Sequence, residues 1–287
     1  MDDSAMPHDP ARCPHAEDPV ASITDHQPES VVAQAFWEVL RGSTQARIGL
    51  GRTGDALPTT DVLALRAAHA AARDAVHLPL DVATFTEQIA AVGLGTPVTV
   101  ASRAADRAEY LRRPDLGRLP ADLTPVTDTG ADIGFVLADG LSPVALSDHA
   151  VGLLAALATE LGDRYTLAPP VIATQARVAL GDHIAEAMGV RTVLVLIGER
   201  PGLSVADSLG IYLTHLPRPG RADAERNCIS NIHPPDGLTY AEAARVVAGL
   251  VAGARALGRS GVDLKDTSRT DSLAAAATLT VKPAPGS

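Results

Sequence analysis

From Pro97 onward the chain alternates short, unbroken apolar runs with longer stretches of helical period, and this alternation constrains its fold most strongly. The runs are Pro97–Ala101, Ile133–Ala138, Val171–Thr174, Thr192–Ile197 and Ile211–Leu216. Each is too short for a helix and is apolar at successive positions, so as a strand it has two faces to bury. That is the mark of a mostly parallel sheet covered on both sides. The segments Ala104–Arg112, Asp148–Leu161, Ala179–Met188 and, after a long loop, Tyr240–Leu257 carry the helical period between and after them. The last opens with Thr239-Tyr-Ala-Glu242, a capping box in which each side chain satisfies a free amide of the first turn. The expected fold class is α/β, with a doubly wound, mostly parallel Rossmann-like sheet domain over residues 96–266.

A small helical domain is expected ahead of it, over residues 31–95. It comprises a helix at Val31–Leu40 with the only tryptophan, a glycine-bearing loop at Thr44–Thr53, a helix from Asp61 to Val76 and another from Asp81 to Val92. Thr59 or Thr60 is placed to cap the second, and Val62, Leu65, Ala68, Ala72 and Val76 form its apolar stripe. Residues 1–30, rich in Asp, Pro and His, lack the apolar area that offsets the entropy of ordering, and read as a disordered tail. Residues 267–287 read as a flexible C-terminal tail.

Charge and cysteine content exclude several classes of function. With 34 acidic against 24 basic residues and only 3% aromatics, the chain has neither the cationic surface nor the stacking platforms of a nucleic-acid binder. No basic flank leads into an apolar segment at the start, and no run of about 18 apolar residues follows, so neither secretion nor a membrane span is expected. Cys13 and Cys228, far apart, suit a reducing cytoplasm. No GxGxxG follows any of the apolar runs, no GxxxxGK[ST], GxSxG or HExxH occurs, and His149, His183, His215 and His233 are dispersed. Dinucleotide, phosphate-loop and zinc chemistry therefore lack their signatures.

Two strand ends stand out. Ala138-Asp139-Gly140-Leu-Ser142-Pro follows one apolar run, and Gly198-Glu199-Arg200-Pro-Gly202 follows another. Each sets a carboxylate beyond a strand with glycines beside it, where α/β sheets bind ligands. Either loop alone reads equally as a polar turn. Cys228 and His233 lie in Arg226-Asn-Cys-Ile-Ser-Asn-Ile-His233, a segment read as a loop dense in polar groups. The residues leave open a free-standing enzyme using Asp139 and Glu199 as acid and base, and a purely structural partner protein.

Several of these segments also carry a family likeness. They are Ala46-Arg-Ile-Gly-Leu-Gly-Arg-Thr-Gly54, His69-Ala-Ala-Ala-Arg-Asp-Ala-Val76, Arg113-Pro-Asp-Leu-Gly-Arg118, Ala138-Asp-Gly-Leu-Ser142, Ile197-Gly-Glu-Arg-Pro-Gly-Leu203 and Asn227-Cys-Ile-Ser-Asn-Ile-His233. In this order the chain resembles the small (light) subunit of ethanolamine ammonia-lyase over residues 46–266. The resemblance implies an adenosylcobalamin-dependent lyase that converts ethanolamine to acetaldehyde and ammonia by a radical route. It implies a hetero-oligomer in which a large subunit holds the ethanolamine, while this chain, not catalytic alone, closes over the cobalamin at their interface. Carried over by position, the cofactor contacts fall on Val178, Glu199 and Cys228. No Asp-x-His-x-x-Gly is present, so the resemblance implies a cofactor that keeps its own base on cobalt. It also implies a cytoplasmic enzyme, inside a bacterial microcompartment in some relatives, although residues 1–30 lack an amphipathic helix for such targeting. Pro120, Pro125 and Gly130 depart from the family, where a helix is expected.

Overall fold

The computed structural model describes residues 31–266. The expected tails, 1–30 and 267–287, lie outside the described residues, as does Cys13. The chain divides into two compact units whose boundary falls between Val62 and Leu63.

In the first unit, helix α1 (Val31–Arg41) sets Phe36 edge-on to Trp37, with ring centroids 5.3 Å apart. Gly49 has φ of 60°, and a Cβ there would collide with the Trp37 indole. Arg41 closes this turn by donating to the Ile48 carbonyl at 3.1 Å and to that of Gly49. Helix α2 (Thr59–His77) begins two residues before its expected start. The Pro58 carbonyl accepts from Asp61 and Val62 at 3.0 and 3.1 Å, so Pro58, rather than either threonine, begins the hydrogen-bonded turn.

The second unit holds a six-stranded sheet in the order β1-β3-β2-β4-β5-β6: β1 (Val98–Ala101), β2 (Ile133–Ala138), β3 (Val171–Thr174), β4 (Thr192–Gly198), β5 (Leu209–His215) and β6 (Asn227–Ile232). The first four are mutually parallel, and β5 and β6 are antiparallel additions at one edge. Every residue of β2 and β4 is buried, as their unbroken apolar sequence predicts.

Two apolar layers flank the sheet. Ile133, Phe135 and Leu137 point into one, with helices α3 (Val82–Ala90), α5 (Pro143–Leu161) and α7 (Tyr240–Leu257). Val136 and Ala138 point into the other, with α6 (Leu180–Ala187). The α3 residues Phe85 and Ile89 belong to the first layer, so this helix is part of the sheet's core. Helix α5 has the length and the hydropathy, 1.4, of a membrane span, yet nine of its residues are buried against the sheet and its neighbours.

Two expectations change and one holds. Helix α5 starts at Pro143, five residues before Asp148, because Ser142 caps it by accepting from the Ala145 amide at 3.2 Å. Pro143 at the first turn needs no amide partner. Residues 119–132 form no helix, as the prolines there suggest. The segment holding Cys228 is not a loop but edge strand β6. Ile229 pairs with Ile211 and Ile232 with Leu209, three residues against two, with Asn231 at φ of 64° in the bulge. The extra residue breaks the two-residue alternation by which a strand is recognised.

A buried ion pair joins the residue before β6 to α6. Arg226 donates to both Asp182 oxygens at 2.7 and 2.6 Å, to Thr214 Oγ1 at 2.9 Å and to the Arg221 carbonyl at 3.0 Å. Both side chains are 1% exposed.

Candidate functional site

After β2 the chain turns back toward β3, whereas after β4 it moves on to β5, so the carboxyl ends of these neighbouring strands form a topological switch point. Gly140, just beyond β2, and Gly198, the last residue of β4, are packed backbone to backbone. Gly140 has φ of 56°, and a Cβ on it would overlap the Gly198 carbonyl, which accepts from the Leu141 amide at 2.9 Å.

Asp139 serves this architecture. Its carboxylate, 3% exposed, accepts from the amides of Gln175 at 2.8 Å and Ala176 at 3.0 Å. Gln175 stands at φ of 51°, so Asp139 holds the left-handed turn through which β3 leads to Arg177 and Val178. Burial raises the Asp139 pKa, against the opposing pull of the Ala176 and Gln175 amides and of Arg107, whose Nη1 is 3.9 Å away.

Helix α4 (Arg107–Arg112), capped by Asp106, supplies one wall. Arg107 donates to the carbonyls of Val76 at 2.7 Å and Gly140 at 2.8 Å, fixing the end of α2 to the loop after β2. Tyr110 is fully buried between two guanidinium groups, Arg107 at 4.8 Å and Arg177 at 4.3 Å from its ring centroid. Its hydroxyl donates to the Ala176 carbonyl at 3.0 Å, and burial pushes its pKa far up. The Arg113–Arg118 segment completes this wall, since the Gly117 carbonyl accepts from the Arg177 amide at 2.8 Å.

A cavity of about 280 Å³ opens at the switch point, lined by Tyr110, Arg177, Val178, Glu199, Arg200 and Tyr212 together with Gly140 and Gly198. Glu199 is half-buried, and its Oε2 accepts from Ser208 Oγ at 2.6 Å and from the Asn231 amide at 3.3 Å. Gly210 leaves room for this carboxylate, because a Cβ there would come within 2.9 Å of Oε1. Val178 is half-buried against the layer that contains α6.

Two of the three positions carried over from the resemblance, Val178 and Glu199, thus line one cavity. Cys228 does not line it, but shares a hydrogen bond with Tyr212, which does. Burial and then the Cys228 thiol push the Tyr212 pKa up to about 12. Burial also pushes the Cys228 thiol up, Tyr212 opposes this, and the charge of Glu199 adds to it. That direction is contrary to what a thiolate nucleophile requires. His233 Nε2 is 2.8 Å from Asn231 Oδ1, so each member of the Cys228 and His233 pair has a different partner. Asp139 and Glu199 are likewise not brought together at the cavity, since Asp139 directs both oxygens to backbone amides and does not line it.

Sequence reasoning missed Tyr110, Arg177 and Tyr212. The one available signal was scarcity, for four tyrosines in 287 residues make each an unusual choice in an aliphatic chain.

Comparison with known proteins bears on most of the chain. The family model for the ethanolamine ammonia-lyase light chain (EutC) matches residues 34–265. An ethanolamine ammonia-lyase small subunit from Rhodococcus erythropolis is 69% identical over 246 residues, covering 86% of this chain and 96% of that protein. The small subunits from Ralstonia nicotianae and Pseudomonas syringae are each 46% identical, covering 88% and 83% of this chain and 97% and 85% of their own lengths. The match thus takes in both described units and every strand of the sheet, and the chain belongs to the ethanolamine ammonia-lyase light chain family.

Proposed function

We propose that this chain closes one side of adenosylcobalamin at its boundary with a large ethanolamine ammonia-lyase subunit, which binds the ethanolamine to be converted to acetaldehyde and ammonia. The observation that carries this reading is the convergence of Val178 and Glu199, from the ends of two different strands, on the cavity at the switch point.

The residues fit a cobalamin edge. Glu199 has Oε1 without a hydrogen-bond partner among the described residues, which suits the amide donors around a corrinoid. Val178 offers apolar contact, and Tyr212, tied to Cys228, a polar rim. A cavity of about 280 Å³ is smaller than a corrinoid, so the rest of the cofactor needs a second chain to cover it. When bound, the cofactor supplies radical chemistry through its cobalt–carbon bond. This chain's residues bind and orient its edge and exclude water there, and the chain has no turnover alone. The proposed compartment is the cytoplasm.

Co-expression with the large subunit tests the reading. The complex is expected to bind adenosylcobalamin and deaminate ethanolamine, with Glu199→Ala weakening cofactor binding by about 1–3 kcal/mol. Turnover of ethanolamine by this chain alone, without a corrinoid, would overturn it.

A further inference from the structure

The loop that carries Glu199 returns to the sheet through Ala206, Asp207 and Ser208, and that return is tied down at each residue. Ser142 Oγ, at the cap of α5, donates to the Ala206 carbonyl at 2.9 Å. His149 Nε2, on the next turns of α5, lies 3.3 Å from Asp207 Oδ2. Ser208 Oγ donates to Glu199 Oε2 at 2.6 Å, and the Glu199 amide donates to the Ser208 carbonyl at 2.9 Å.

His149 is itself held from behind. Its Nδ1 is 2.8 Å from the hydroxyl of Tyr240, the first residue of α7. The Tyr240 ring crosses α5 at Gly152, where any Cβ would collide with it. An ionised carboxylate only accepts, so Asp207 requires the proton on Nε2 and thereby fixes which nitrogen faces Tyr240. The His149 side chain is 10% exposed, and neither it nor Asp207 nor Tyr240 lines the cavity. A buried imidazole oriented by two partners from different elements, one of them on the Glu199 loop, is more than helix packing requires.

We propose that His149 is a positioning residue for Glu199. Braced by Tyr240, it fixes Asp207, and with it the adjacent Ser208 whose hydroxyl holds the Glu199 carboxylate at the cavity. This rests on Glu199 being a cobalamin contact, as proposed above.

The test is cyanocobalamin binding to the complex of the two subunits, read by absorbance titration. His149→Ala and Asp207→Ala are each expected to weaken binding roughly three- to tenfold, a fraction of the loss from removing the charged acceptor itself. His149→Gln, which keeps a donor near the Nε2 position, restores affinity to within about twofold. In a Glu199→Ala background His149→Ala has no further effect, because its action runs through Glu199. Asp207 is partly exposed, so its variant is available if the histidine variant does not fold. Unchanged affinity in both single variants, or an equal loss with and without Glu199, overturns the assignment while leaving the cofactor site intact. A wild-type complex that binds no cyanocobalamin overturns the site and this assignment together.

Discussion

Gly140 and Gly198 meet without side chains between them, and the Leu141 amide reaches the Gly198 carbonyl at 2.9 Å. The cavity exists where these two strand ends touch, so its geometry depends on glycine at the contact. Gly140→Ala combines a left-handed backbone with a collision against Gly198, and is expected to destabilise the fold by about 3 kcal/mol. Urea unfolding measures it, and a loss below about 1 kcal/mol would mean that the strand ends can part freely.

The Arg226–Asp182 pair ties the residue before β6 to α6 in a site without water access. Arg226→Met alone strands a buried carboxylate and is expected to cost about 3–5 kcal/mol, whereas Arg226→Met with Asp182→Leu recovers most of that loss. Equal destabilisation of the single and double variants in thermal melts would count against this account.

His215 is buried with Nδ1 2.8 Å from Thr192 Oγ1. Burial lowers its pKa below the ordinary 6.5, with Arg255, Arg191 and Arg221 adding to the shift. The folded state therefore binds fewer protons than the unfolded chain. Its contribution is full above the unfolded value and is lost as pH falls below about 6.5 toward the folded pKa. Stability by urea denaturation should decline between pH 7.5 and 5.5, and less steeply in His215→Gln. An identical slope in the variant would remove His215 as the cause.

Cys228 is exposed as a residue, yet its thiol is held in the neutral form by burial against its neighbours and by the charge of Glu199, with Tyr212 opposing. Iodoacetamide at pH 8 should modify Cys228 more slowly than an unstructured peptide thiol, and Glu199→Gln should speed the reaction. Peptide mapping by mass spectrometry separates it from Cys13. Faster labelling of the wild type than of the free peptide would contradict this picture.

Much of the fold is legible because its signals are local. The unbroken apolar runs of β2 and β4 state that both faces are buried, and the Thr239 and Glu242 capping box of α7 forms as its spacing requires. Asp139 and Glu199 follow strands in the sequence and follow them in the structure. Segment β6 was not legible, because its bulge sets Ile229 and Ile232 three residues apart and disguises the alternation.

Local pattern in the amino-acid chain was enough for the helices, the strands other than β6, the covered parallel core and the family likeness. Folding in three dimensions was needed to set Asp139 under a neighbouring loop and to bring Arg107 and Arg177 onto Tyr110. It was needed equally for Ser208 and Asn231 to orient Glu199. The physical reason is separation. Periodicity and capping are set by residues within a few positions of one another, whereas these contacts join residues brought together by the sheet's crossovers, whose identity no local pattern carries.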